Sequence, residues 1–278
     1  MPHHSLPPIT GFVDAHVHIR DVLGFGCAAA AGITVLRDAG NRENAHRGIP
    51  FDAVAHHGLR VVSSGWALFK KGGYGSAFGI PVEGRNDFHD EISRLKAAGA
   101  GIIKVMASGM VSLKKRETIT PGGFDKDELA ALVQEARNQG LEVMAHANGE
   151  QAIINSAEAG VRSLEHGFFM TARALDALAK RGASWTPTVG ALARAADSGD
   201  VSKEMKTAVK ELIRSHLAMI RRAHAGGVSL AVGTDCVLPD PGYREAYQAE
   251  LAYFEEAGLA HDAVRKIAVE SGAKLLGI

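Results

Sequence analysis

The stretch Gly11–His18, GFVDAHVH, is a β-type run that finishes on two histidines one residue apart. Side chains two apart in a strand leave the same face. His16 and His18 would therefore present both imidazoles to one point, which suits a metal ion. Similar runs follow, each ending on a residue able to bind a metal: His146 in EVMAHANG, His166 in SLEHG and Asp235 in AVGTD. One such histidine is as readily a hydrogen-bonded structural residue. Five at strand ends point jointly to a metal site.

Working outward, eight runs have strand character: Gly11–His18, Ile33–Asp38, Leu59–Ser64, Gly101–Ala107, Leu141–Ala147, Val161–His166, Ala183–Val189 and Val228–Asp235. Several follow a glycine suited to ending a helix, among them Gly140, Gly160 and Gly182. Helical patterns lie between them, at Asp87–Ala98, Asp125–Asn138, Thr171–Arg181, Glu204–Ala225 and Tyr243–Glu256. Asp125 followed three residues later by Glu128 is a capping-box signature. The alternation predicts a parallel α/β sheet, either doubly wound or closed. The placement of the polar residues favours closure, because a (β/α)8 TIM barrel gathers the C-terminal ends of its strands at one mouth. No strand runs into a GxGxxG turn.

The 278 residues are enough for one such barrel. Residues 1–278 are therefore expected to form a single barrel domain behind a Pro-rich leader over residues 1–10, whose His3 and His4 carry no catalytic weight. Lys plus Arg and Asp plus Glu each number 31. That balance lacks the basic excess that nucleic acid or an acidic membrane calls for, so a small-molecule partner is expected. No run reaches the length of a membrane span. Two distant cysteines, Cys27 and Cys236, fit a reducing, cytoplasmic setting.

Lys104 stands inside the apolar run Gly101-Ile-Ile-Lys-Val-Met. A buried ammonium must be paired or lose its proton. A neutral lysine can take up carbon dioxide as a carbamate, which has the shape and charge of a carboxylate and can bridge two cations. The alternative is a structural lysine that reaches the mouth or pairs with an acid.

The order of these residues resembles the amidohydrolase superfamily. GFVDAHVH, GITVLRDAGN, GIIKVMASG, EVMAHANG, SLEHG and AVGTD are similar to its imidazolonepropionase-like and prolidase-like branch. The resemblance implies two divalent metals, zinc as the usual choice. His16, His18 and Asp235 would hold the more buried one, and His146 and His166 the other. Carboxylated Lys104 and a hydroxide would bridge them. The hydroxide would attack an amide C–N bond in an N-acyl amino acid, dipeptide or cyclic amide, with Asp235 as general acid and base.

The chain departs from that pattern in places. Members of the branch usually carry a small β-domain built from residues on both sides of the barrel; with fifteen residues before His16, a bare barrel is expected, either naturally compact or shorn of its flanks. Apolar surface left uncovered would then favour a homo-oligomer. Asn148 stands where many prolidase-like members have a second histidine, and Phe124 near where they place a tyrosine. Nucleobase deaminases on this barrel put a glutamate at the position of Gly149, and Glu150 lies one residue on. Besides deamination, the same barrel could carry lactone or ester hydrolysis, or a metal site without catalysis.

For substrate contacts the sequence offers Asn148, Trp66 and Phe69 as lining and Lys114, in the basic run Lys114-Lys115-Arg116, as a carboxylate receptor, against the blander reading of a solvated loop. Arg37 and Asp38 are expected to pair with each other at the mouth. The Gly-rich stretches Lys71–Gly75 and Pro121–Gly123 are expected to be loops over the site or plain connectors. His46, His56, His57, His89, His216, His224 and His261 lack strand-end placement and are read as surface or packing residues.

Overall fold

The computed structural model describes residues 11–41 and 58–277. The leader and His46, His56 and His57 lie outside the described residues. The strands are β1 Phe12–Ile19, β2 Ile33–Asp38, β3 Arg60–Ser63, β4 Ala67–Lys70, β5 Gly79–Val82, β6 Ile103–Met106, β7 Val143–Ala147, β8 Ser163–His166, β9 Ser184–Thr186 and β10 Cys236–Leu238. The helices are α1 Gly24–Ala30, α2 Gly84–Ala97, α3 Lys126–Asn138, α4 Glu150–Ala159, α5 Ala172–Arg181, α6 Val189–Asp197, α7 Lys203–Ala225, α8 Tyr243–Glu256, α9 His261–Lys266 and α10 Gly272–Leu276, with a π-turn at Ile267–Ser271 before the last.

Every strand pairing is parallel, in the orders β10-β1-β2-β3 and β5-β4-β6-β7-β8-β9. Two joins make these a closed barrel. β3 and β4 are halves of one bent strand, the first paired with β2 and the second with β6. On the other side, residues 229–232 run between β9 and β1. Trp185 N donates to Ser229 O at 2.8 Å, Ala231 N to Trp185 O at 3.0 Å and Ala15 N to Val232 O at 2.8 Å. Seven of the eight expected strands are present, the seventh shortened to Ser184–Thr186; over the eighth, residues 228–235, the chain makes one isolated bridge at Leu230, and its ladder with β1 forms just after, at β10.

Helix starts follow local chemistry. Asp125 and Glu128 form the expected capping box at α3, and Thr171 and Ser202 cap α5 and α7; each such cap contributes about 1 kcal/mol. Gly160 and Gly182 end α4 and α5 in the left-handed conformation that glycine adopts without strain. Apolar stripes on the helices, such as Phe88, Ile92 and Leu95 on α2 and Leu129, Leu132 and Val133 on α3, pack on the outer faces of strands through Ile103, Val105 and Leu164. The buried polar residues are a different set, including Asp14, His16, Arg37, Lys104 and Glu165. Among the described residues no helix is long and apolar enough to cross a membrane.

Candidate metal centre

The end of β1 sends Asp14, His16 and His18 to one side, as the two-residue period requires. Asp14 serves as an anchor. Its carboxylate accepts from His16 N, Thr234 N, Thr234 Oγ1 and Tyr243 Oη at 2.7–3.1 Å, tying β1 to the segment that ends at Asp235. Burial pushes its carboxyl up to about 6 against those bonds.

Three imidazoles are held through Nδ1. His16 Nδ1 meets Glu165 Oε2 at 2.7 Å, His18 Nδ1 meets Gly40 O at 2.5 Å, and His166 Nδ1 meets Thr188 Oγ1 at 2.7 Å. Fixing one ring nitrogen leaves Nε2 with its lone pair outward, the arrangement of a metal-ligating histidine. Asp235 Oδ1 lies 3.2 Å from His18 Nε2 and 3.4 Å from His16 Nε2. Donor atoms of His16, His166 and Asp235 fall within 4.8 Å of one another. Lys104 Nζ is 3.5 Å from His16 Nε2. His146 is turned the other way. Its Nε2 meets Gly109 O at 2.9 Å, leaving Nδ1 free to ligate, and its ring lies 4.5 Å from that of His166. A side chain at residue 109 would strike Thr120 O, so glycine brings that carbonyl to His146.

His166 and Asp235 have φ of 68° and 55°. This left-handed backbone is uncommon outside glycine and gathers at functional sites. Burial lowers His16 to about 4 and His146 to about 3, with the Lys104 charge adding to both, so these two imidazoles are neutral. Burial brings Lys104 down to about 8 against the pull of Glu165 and Asp235. Neutral imidazoles, a carboxylate and a buried amine around one point form a donor set that fits divalent cations.

Glu165 is the residue that motif reading passed over, although it stands in the quoted SLEHG. Arg37 Nη2 donates to its two oxygens at 2.8 and 3.0 Å. Burial pushes the carboxyl up, but Arg37, His16 and Lys104 outweigh it and hold it at about 2. This corrects the expected Arg37–Asp38 pair. Neighbours on a strand leave opposite faces, so Arg37 reaches Glu165, Ser163 and Ala15 O, whereas Asp38 accepts from Ser63 Oγ, Ile19 N and Gly40 N.

A cleft opens over these residues, with His18, Lys104, His146, Asn148, His166 and Asp235 in its lining. Asn148 is committed to backbone, donating to Gly109 O at 3.2 Å and accepting from Phe168 N at 3.0 Å. Trp66, Phe69 and Lys114 are not among the lining residues. Trp66 is buried beside Arg94, Phe69 packs on Met106, and Lys114 is exposed. Tyr74 and Phe78, which the sequence did not single out, do line the cleft. Tyr74 lies 5.3 Å from the His146 ring, and burial with the Asp235 charge pushes its phenol up to about 12. Its loop interlocks with the other Gly-rich stretch, since Gly122 packs against Tyr74 too closely for a side chain. Glu150 faces Thr171 and Arg173. His216 is buried between Trp185 and Phe168, while His89, His224 and His261 are exposed.

Comparison with known proteins agrees with this geometry. The amidohydrolase family model matches residues 9–278. The ochratoxinase of Aspergillus niger is 26% identical over 269 residues, covering 86% of this chain and 51% of that protein. The chain thus spans about half the length of that curated relative. The A. niger ochratoxinase crystal structure superposes with a TM-score of 0.78 at 24% identity, covering 96% of this chain and 71% of that one. A Xaa-Pro dipeptidase solved with methionine in its active site gives 0.78 at 23%, covering 96% and 75%. These likenesses show a shared fold.

Proposed function

Because the chain belongs to the amidohydrolase family, we propose that it is a binuclear metal-dependent hydrolase that cuts an amide C–N bond in a small molecule. The observation that carries this reading is the convergence of His16, His166 and Asp235 donor atoms, with His18 Nε2 on the same Asp235 oxygen as His16 and all three rings fixed through Nδ1. The ochratoxinase and Xaa-Pro dipeptidase likenesses support the bond type.

His16, His18 and Asp235 would hold one metal and His146 and His166 the other, with Lys104 between them as a carbamate formed by adding carbon dioxide to its neutral amine with loss of a proton. Zinc suits nitrogen and oxygen donors of this kind. Divalent metals there supply Lewis acidity and bring the pKa of water toward neutrality. The protein supplies the rest. Asp235, its side chain 24% exposed at the cleft floor, is placed to take a proton from the attacking water and return it to the leaving nitrogen. Tyr74, protonated at neutral pH, is placed to donate to the carbonyl oxygen as charge develops on it. Glu165 and Arg37 hold His16 in register.

The engagement of Glu150 with Thr171 and Arg173, away from the cleft lining, favours hydrolysis over deamination. Residues 9–278 would act as one barrel unit in a reducing, cytoplasmic setting, where Cys27 and Cys236 stay free. The homo-oligomer expected from sequence would have to form without a broad apolar face among the described residues, where the large exposed apolar side chains are Val22, Leu23 and Met110. A hydrolysis screen over N-acyl amino acids, dipeptides, cyclic amides and lactones tests the reading. Amide cleavage abolished by a chelator and restored by zinc is the expected result; cleavage indifferent to chelation would count against it.

A further inference from the structure

After β6 the chain forms a small hairpin. Val111 bridges Ile119 in antiparallel fashion, with Ser112 N donating to Thr118 O and Thr120 N to Met110 O, each at 2.8 Å. Met110, Val111 and Leu113 line the catalytic cleft. Ser112, Arg116 and Glu117 line a separate outer pocket, and Arg116 is bound there to Glu211 at 2.9 Å. Phe168, Leu192 and Ala195 line the same cleft. Val111, Phe168 and Leu192 belong to one buried apolar cluster, with Leu113 packed against it, so this wall is built into the fold.

The charges of the cleft lie at its floor. Among the described lining residues the cationic side chain is Lys104, which sits with the candidate metal ligands. A substrate whose scissile bond reaches Asp235 must lay its flanking group against the apolar wall. A carboxylate laid on that wall would lose water there with no countercharge among the described residues of the wall, a costly arrangement. An alkyl chain or a plain ring gains by burial.

We infer that the hairpin and the apolar wall it packs into select amides with a neutral, apolar flanking group over the same amides bearing a carboxylate. The inference rests on the amidohydrolase reading and narrows it, favouring neutral amides over free dipeptides and N-acyl amino acids.

A matched pair tests it: hexanoyl anilide and its para-carboxylate, titrated into zinc-loaded protein. The readout is the 13C-methyl resonances of Met106 and Met110, both in the lining and assigned through Met→Leu variants. The anilide should bind at least tenfold more tightly and shift both methyls, and Leu192→Lys should reverse the preference. Equal or tighter binding of the carboxylate, or binding that leaves both methyls unmoved, would overturn the inference. Hydrolysis is scored separately. Failure to bind zinc or cleave either anilide counts against the amidohydrolase reading, while the binding preference alone decides the selectivity claim.

Discussion

Glu165 Oε2 sits 2.7 Å from His16 Nδ1, and Arg37 grips the same carboxylate from the other side. The three are buried inside the barrel and come from three different strands. The carboxylate fixes the tautomer of His16 and so the direction of its ligating nitrogen. Glu165→Gln should weaken zinc binding about 10–100-fold, measured by chelator competition on folded protein. It should also lower the melting temperature, because Arg37 loses its countercharge. Unchanged zinc affinity would remove Glu165 from the site.

Asp235 contacts His18 and His16 and is half-buried at the cleft floor. Asp235→Asn keeps the shape and removes the base. It should retain much of its metal yet lose about 10²–10⁴ in kcat, read by single-turnover hydrolysis beside metal analysis. Normal turnover by the purified variant would sink the proton-transfer role.

Tyr74 lies beside His146 in the cleft lining. Tyr74→Phe removes one donor without opening a cavity. A fall of about 10²-fold in kcat with little change in KM is expected for a donor that acts chiefly in the transition state. A change confined to KM would make Tyr74 a contact for bound substrate alone.

Glu250 of α8 accepts from Val189 N and Gly190 N at the start of α6, which lines the cleft through Ala191 and Leu192. Burial raises its carboxyl from 4.5 to about 7, against those bonds and Arg194. As pH rises from 4.5 the unfolded chain gives up this proton first. The fold therefore loses on the order of 3 kcal/mol between about pH 4.5 and 7, and no more above that. Glu250→Gln loses one backbone contact but does not titrate. Denaturant melts across that range should show a smaller decline with pH than the parent; parallel curves would contradict it.

The candidate set was legible because it obeys short-range rules. His16 and His18 share a strand face, and His146, His166 and Asp235 each end an apolar run. Lys104 declared itself as a charge inside such a run. Glu165 did not, because its partners lie 149 and 128 residues away and only barrel closure brings them together. Trp66 and Phe69 fell outside the cleft lining for a local reason. The third strand bends between β3 and β4, which leaves the Trp66 ring beside Arg94 and seats Phe69 behind Tyr74 and Phe78. That bend is a pairing event, with β4 joining β6 while β3 stays with β2, and no periodicity announces it.

Metal content tests the binuclear centre most directly. Protein refilled with zinc in the presence of bicarbonate, freed of loose metal and assayed by elemental analysis, should hold two equivalents per chain, and Lys104→Ala should hold one. Folded parent protein that binds no zinc under those conditions would contradict the metal centre and the hydrolysis assigned to it.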